Sequence, residues 1–207
     1  MKLKVLEKQE RALGTKLFIK PIRSYSAKSA IVKRPYKPGP RRTPRRGGKQ
    51  GSEYKRQLSE KQKVRFSYGI TEKDMRRYFV FADHSKEPTD IAFLRLLESR
   101  LDNVVFRLGF APSRSVARQL IGHGHFTLNG RKVTIPSIRL RAGDTVAVRP
   151  GSAEIPPILA IAERLKTAVA PVWLSVNPDL PSGTLLATPR DTELFFDLNL
   201  VVNFYSK

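Results

Sequence analysis

Ser113-Arg114-Ser115-Val116-Ala117-Arg118-Gln119-Leu120-Ile121-Gly122-His123-Gly124-His125-Phe126-Thr127-Leu128-Asn129-Gly130-Arg131-Lys132-Val133 changes period once, and that change decides the fold. Pro112-Ser113 is a helix start signal. On a wheel of about 100° per residue with Arg114 at zero, Arg118 falls at about 40°, Ser115 at about 100° and Gln119 at about 140°. Val116, Leu120, Ala117 and Ile121 occupy about 200° to 340°, so a polar face separates cleanly from an apolar one. Gly122-His123-Gly124 ends the helix. Residues 126–128 then meet residues 131–135 across Asn129-Gly130, the preferred pair for a two-residue hairpin turn. Arg141-Ala142-Gly143-Asp144 reads as another turn, and residues 145–148 alternate as a strand.

Upstream, Ser52 or a neighbour caps a helix over about residues 53–67 that Gly69 closes. Lys55, Arg56, Lys61, Lys63 and Arg65 almost encircle it, and a helix charged on most sides needs a partner. Thr71 with Asp74 resembles a capping box, and Met75, Tyr78, Phe79 and Ala82 follow at helical spacing as a buried stripe. After the break at residues 86–88, Thr89 and Asp90 start what reads as one long helix. Its apolar positions Ile91, Leu94, Leu97, Leu101, Val104, Val105 and Leu108 hold period until Gly109.

Downstream of Pro150, Ile158, Ile161, Ala162 and Leu165 form a short amphipathic helix with Pro157 near its first turn. Residues 172–176 and 184–187 are expected as strands, joined through Asn177-Pro178-Asp179 and Pro181-Ser182-Gly183. Phe195, Phe196, Leu198, Leu200, Val201, Val202, Phe204 and Tyr205 make the C-terminus too apolar for a free tail, so it must dock. No internal repeat emerges. The fold class is α+β.

The charge is lopsided. The chain has 207 residues, 39 Lys+Arg against 18 Asp+Glu, and a formal net charge of +21, which excludes an ordinary neutral enzyme. Residues 1–70 carry net +17, residues 71–150 net +6 and residues 151–207 net −2. Pro35-Tyr36-Lys37-Pro38-Gly39-Pro40-Arg41-Arg42-Thr43-Pro44-Arg45-Arg46-Gly47-Gly48 excludes helix and sheet and is expected as an extended basic arm. In such an arm Arg41, Arg42, Arg45 and Arg46 can each grip a phosphate bidentately. A nucleic acid, an anionic membrane and an acidic protein are the available counter-charges. Nucleic acid is favoured because no amphipathic helix or lipidation signal accompanies the arginines.

Cysteine is absent, which excludes disulfides, iron–sulfur clusters and thiol catalysis. The longest apolar run, residues 158–162, is far short of the roughly 20 residues a membrane span needs. No secretory segment follows Met1. His123-Gly124-His125 offers two imidazoles but no third ligand at sensible spacing, so no metal and no cofactor is expected. Arg100-Leu101-Asp102 also occurs in pseudouridine synthases, where the aspartate attacks the nucleotide. Inside a long amphipathic helix a surface salt bridge or cap-like role is the better reading. No phosphate-cradling glycine loop, nucleophile elbow or convincing acid pair appears.

Arg114 and Arg118, one turn apart beside Ser115 and Gln119, suit one ridge of an RNA phosphate backbone. The competing reading is an ordinary exposed polar face. Arg131 and Lys132, directly after the Asn129-Gly130 turn, favour the first by adding positive charge from a hairpin on a shared surface.

The run Ser99-Arg100-Leu101-Asp102-Asn103-Val104-Val105-Phe106-Arg107-Leu108-Gly109-Phe110, with Ser113 to Ile121 and Leu128-Asn129-Gly130-Arg131-Lys132-Val133, strongly resembles the RNA-binding module named after small-subunit ribosomal protein S-four. The flanks Leu58-Ser59-Glu60-Lys61-Gln62-Lys63-Val64-Arg65, Trp173-Leu174 and Leu200-Val201-Val202-Asn203-Phe204-Tyr205-Ser206-Lys207 resemble that ribosomal family itself, over about residues 52–207. Residues 1–50 do not match the family's usual opening, and the four-cysteine zinc knob of some members has no counterpart here.

The resemblance implies a cytoplasmic small-subunit protein. It would grip a multi-helix junction in the 5′ domain of small-subunit ribosomal RNA, nucleate assembly and support decoding accuracy. Ribosomal protein S-five and messenger RNA, where the messenger enters, would be its neighbours, and no membrane is involved. RNA-facing positions would be Arg114, Ser115, Arg118, Gln119, His123, Asn129, Gly130, Arg131 and Lys132, together with Lys55, Arg56, Lys61, Lys63 and Arg65. The implied architecture is a basic arm over residues 1–51, a helical domain from residues 52–88 plus 189–207, and an inserted domain over residues 89–188 that holds the module at about residues 98–150. The alternative is a non-ribosomal RNA-binding protein or an RNA-modifying enzyme sharing the module, though the enzyme lacks room for a catalytic domain, and a third reading is a polybasic membrane or acidic-partner adaptor. Exchanging Arg114 and Arg118 for alanine is expected to weaken RNA binding and leave the fold intact.

Overall fold

The computed structural model describes residues 7–17, 19, 24, 26–39, 52–165, 169–177, 181–189 and 196–206. The chain divides into two compact units, residues 1–90 with 194–207, and residues 91–193.

The first unit is helical. Helix α1 (Glu7–Leu13) and the single turn α2 (Ala30–Lys33) come from the segment expected as a basic extension. The buried Glu10 organises it: its carboxylate accepts the backbone N–H of Leu17 at 3.0 Å and of Ile19 at 3.4 Å. Arg11 donates from Nε to the Arg34 carbonyl and from Nη2 to that of Tyr36. These local contacts order part of the segment that the resemblance assigns to a basic arm. Residues 40–51, with Arg41, Arg42, Arg45 and Arg46, lie outside the described residues.

Helix α3 (Glu53–Tyr68) starts at Ser52, whose Oγ accepts the Lys55 N–H, and stops at Gly69 in the left-handed conformation (φ 61°). Thr71 caps α4 (Glu72–Asp83), which buries Met75, Tyr78 and Ala82. The last helix, α9 (Leu198–Tyr205), is capped by Asp197 and packs on α3 and α4. Phe204 lies 5.7 Å from Tyr54 and Tyr205 lies 5.3 Å from Phe79, ring centre to ring centre. The apolar C-terminus is thereby the partner that the charged α3 required.

In the second unit the long helix expected from residue 89 to 108 is two helices, α5 (Thr89–Glu98) and α6 (Leu101–Arg107). Arg100 is extended (φ −67°, ψ 139°) and forms an antiparallel bridge with Arg139. The Leu101 N–H reaches the Ile138 carbonyl and the Leu140 N–H reaches that of Ser99, both at 2.8 Å. Asn103 Nδ2 caps the broken end by donating to the Glu98 carbonyl at 2.9 Å. Strand-like pairing with a distant segment therefore outweighs two residues of local helix, and the apolar period passes through the break unchanged.

Helix α7 (Arg114–Gly122) is capped by Ser113, and the hairpin β1 (Phe126–Leu128) to β2 (Arg131–Val133) follows. Asn129 (φ 50°) and Gly130 (φ 79°) both take the left-handed conformation that a tight type I′ turn demands. Strand β3 (Thr145–Val148), a 3₁₀ turn (Pro150–Ser152), α8 (Pro156–Leu165), β4 (Leu174–Asn177) and β5 (Ser182–Leu185) complete the unit. The sheet is antiparallel in the order β2-β1-β3-β5-β4.

Ser182 and Gly183, expected in a loop, pair with Ala147 and Val146 of β3. Gly183 is needed there because a Cβ would collide with the Leu108 methyl groups and come 3.1 Å from its Cγ. The core gathers Leu101, Val104, Leu108, Ile121, Ile161 and Leu185 around Phe110 and Phe126, whose rings stack at 6.1 Å.

Candidate nucleic-acid interface

Carboxylates of α5 and α6 set the arginines of α7. Asp102 is 2% exposed and accepts Nε and Nη2 of Arg100 at 3.0 and 2.8 Å. The same Oδ2 takes Nε of Arg118 at 3.0 Å and also its Nη2. Arg-Leu-Asp is thus a buried ion-pair node at a helix start rather than a surface salt bridge within a helix. One carboxylate shared by two guanidiniums fixes both forks at once.

Arg114 is held in parallel fashion. Its Nε donates to Asn103 Oδ1 at 2.7 Å, and the guanidinium lies 4.7 Å from the centre of the Phe106 ring. Asn103 in turn donates to Glu98 Oε2, which also accepts Arg107 Nε. Both α7 arginines are half-buried, whereas Ser115 and Gln119 are exposed. The predicted polar face therefore exists, but its cations are tied to α6 and carry structure as well as charge. Their removal is therefore expected to lower stability as well as RNA affinity.

Asn129 is equally engaged within the protein. Its Nδ2 donates to Asp144 Oδ1 and its Oδ1 accepts the Thr145 N–H, both at 2.8 Å, so it locks the hairpin tip against β3. Gly130 supplies backbone freedom. Arg131 and Lys132 are exposed, but alternation along β2 sends them to opposite faces of the strand. A hairpin presenting both on one surface is not what the strand produces.

Lys132 instead crosses Gly124, between the two histidines that follow α7. A Cβ at Gly124 (φ +77°) would collide with Lys132 Cε and come 3.2 Å from its Nζ. The rings of His123 and His125 stand 5.9 Å apart, edge to face. His125 Nδ1 is 3.1 Å from the hydroxyl of the buried Ser152. Burial, followed by the charges of His123, Arg149 and Lys132, holds the His125 imidazole below its ordinary value of 6.5. Arg149 and His125 thus join the cationic edge. Sequence reasoning missed Arg149, which a strand end more than twenty residues away brings in, and weighed His125 only as a metal ligand. Among the described residues no three His, Asp or Glu side chains group as metal ligands, and no helix is long and apolar enough to cross a membrane.

The first unit treats its five predicted cations unequally. Lys55 and Arg56 are exposed. Lys61 is buried, pairs with Glu72 at 3.0 Å and lies 4.6 Å from the centre of the Phe204 ring. Lys63 pairs with Glu60, and Arg65 contacts Gln62 and the Phe66 ring. Glu72 also accepts the Tyr205 hydroxyl at 2.8 Å. Burial pushes the Glu72 carboxyl up, but hydrogen bonds from Lys61 and Tyr205 and the nearby positive charge outweigh it and leave it below its ordinary value. Lys61 therefore closes the helix packing.

A short capped helix, a tight hairpin and a carboxylate-anchored arginine pair define a basic α+β module of the S4-domain class. The family description "S4 domain" matches residues 99–146, and "Ribosomal protein S4/S9 N-terminal domain" matches residues 6–98. The second match extends the likeness into the first fifty residues, where sequence reading found none.

A protein of Nitratidesulfovibrio vulgaris (strain DSM 19637 / Miyazaki F) named "Small ribosomal subunit protein uS4" is 47% identical over 199 residues, 95% of this chain and 94% of that protein. The protein of the same name from Heliobacterium modesticaldum is 45% identical over 199 residues, again 95% and 94%. That of Syntrophomonas wolfei is 46% identical over 202 residues, 97% and 96%. The chain belongs to the small ribosomal subunit protein uS4 family.

Proposed function

We propose that this chain is a non-catalytic structural constituent of the small subunit of the cytoplasmic ribosome and binds small-subunit ribosomal RNA. The observation that carries the reading is the near full-length identity to proteins of that name across both units. The chemistry agrees with it: a net charge of +21 needs a polyanion, and Asp102, the one candidate nucleophile of the sequence reading, is buried beneath two guanidiniums.

Direct phosphate contacts are assigned, in the second unit, to the exposed cations Arg131 and Lys132 with Ser115, Gln119 and His123, and, in the first unit, to Lys55 and Arg56, with Arg41, Arg42, Arg45 and Arg46 earlier in the chain. Arg114, Arg118 and Asn129 brace the face of the second unit, and Lys61, Lys63 and Arg65 that of the first, each through its protein partners, and Gly130 shapes the hairpin tip. The target is a multi-helix junction of the 5′ domain, with assembly nucleation, decoding support, an S-five neighbour and messenger proximity following from the family likeness. The inserted arrangement of a module-bearing domain between two helical segments belongs to the same reading.

Filter binding to transcripts of the 5′ domain and of an equally long large-subunit RNA tests this. Expected is strong preference for the 5′ domain with steep salt dependence. Equal affinity for both transcripts would refute it.

A further inference from the structure

The corner where α7 ends and β2 and β3 pass is the part of the cationic edge whose charges the fold itself leaves unspent. Lys132 and Arg149 are exposed, and no carboxylate among the described residues pairs with either. Gly124 lets Lys132 Cε and Nζ lie over the backbone between the two histidines, where a Cβ would push the end of that side chain aside. His125 sits against the Ser152 hydroxyl of the 3₁₀ turn. The corner therefore draws on three elements and brings two exposed cations to His125.

The geometry points to a phosphate notch formed by His125, Lys132 and Arg149, in which His125 takes up a proton when a phosphodiester of the bound RNA enters. The inference rests on the RNA-binding reading above and adds to it a proton-linked step at one residue. The groups that face His125 are His123 from the end of α7, Lys132 from β2, Arg149 after β3 and the Ser152 hydroxyl. In the free protein the charged members repel an added proton, and burial opposes it further, so His125 is held neutral below its ordinary value. A phosphodiester brings the missing negative charge and reverses the balance.

The proton comes from the buffer onto a ring nitrogen, and no covalent bond changes. Ser152 suits both states: its hydroxyl donates to a neutral Nδ1 and accepts from a protonated one, so protonation costs no hydrogen bond. In either state the other ring nitrogen, Nε2, carries a proton for a phosphate oxygen.

The linkage has a definite sign. Binding raises the affinity of His125 for a proton, so the gain in RNA affinity is full below the free-state pKa and is lost as pH rises through the bound-state pKa. The full-length protein and a small-subunit ribosomal RNA transcript, titrated from pH 8 to pH 5.5 at constant ionic strength, are expected to show roughly three- to tenfold tighter binding at the acid end, since one unit of displacement is tenfold. His125→Gln and His125→Asn, each checked by thermal melting, are expected to give a flat profile. His84→Gln keeps the slope.

A second measurement needs no variant in the binding reaction. Histidine ring proton titrations of the free protein are expected to show the His125 pKa rising in sulfate relative to chloride at equal ionic strength. Firm binding at pH 8 with a flat wild-type profile would overturn the notch and leave the RNA-binding reading standing. A slope surviving in both His125 variants, or no sulfate response at His125, would overturn it as well. Absence of RNA binding at every pH would bring down both readings.

Discussion

Replacing Asp102 with asparagine is the most revealing single perturbation of this molecule. The carboxylate is 2% exposed and receives Nε and Nη2 from each of Arg100 and Arg118. Asparagine keeps the volume, removes the charge and turns an amide donor toward two cations. A hydrogen bond to a charged group contributes about 1.5–3 kcal/mol, but four that share one carboxylate do not add. Breaking a buried ion pair from one side costs about 3–5 kcal/mol, and the half-buried position of Arg118 puts this case near 3 kcal/mol. For a chain of this size, with Tm falling about 2–4 °C per kcal/mol, the expected loss is about 6–12 °C.

Urea and thermal unfolding measure it directly, and an Asp102→Asn, Arg118→Gln double-mutant cycle is expected to give a coupling of about 1–3 kcal/mol. A loss below about 1 kcal/mol with negligible coupling would show that the node contributes no more than a surface pair, and the account of how α7 is aimed would fail. Arg118→Ala should therefore lower stability and RNA affinity together. Gln119→Glu, on the exposed part of the same face, should weaken RNA binding about tenfold without moving Tm.

Gly183→Ala forces a methyl group into the Leu108 side chain and is expected to cost about 1–3 kcal/mol in urea unfolding; a neutral result would mean that the β3–β5 contact is looser than described. Tyr205→Phe removes the donor to Glu72 and should cost about 1–2 kcal/mol while letting the Glu72 carboxyl rise toward its ordinary value. Because the folded-state pKa of Glu72 is depressed, its contribution is present above the unfolded value of about 4.5 and is lost as pH falls through the folded value, so wild type should lose more stability than Tyr205→Phe on acidification below about pH 5. Arg131→Ala is expected to leave Tm unchanged and to lower the slope of log affinity against log salt by roughly one, which a salt titration of RNA binding reads.

Elements specified by neighbouring residues were legible in the chain itself. Ser52, Thr71 and Ser113 cap the helices predicted to follow them, Gly69 closes α3, and Asn129-Gly130 makes the hairpin, because a cap or a turn is decided within a few residues. The polar and apolar faces of α7 fall where a 3.6-residue period puts them, and the family likeness of the module was carried by the same residues.

Tertiary structure alone decided which charges are spent. The apolar period runs unbroken through Ser99 and Arg100, and only pairing with residues 138–140 divides the helix there and buries Asp102 beneath Arg100 and Arg118. Lys61 reads as a surface cation until α9, far away in the chain, brings Phe204 and Tyr205 across it. Arg149 joins His125 and Lys132 only because β3 is paired with β1. Sequence patterning sets which residues can carry charge on a helix or strand. Whether a given cation is neutralised inside the protein or left for a polyanion depends on long-range contacts between elements, and no local period records those.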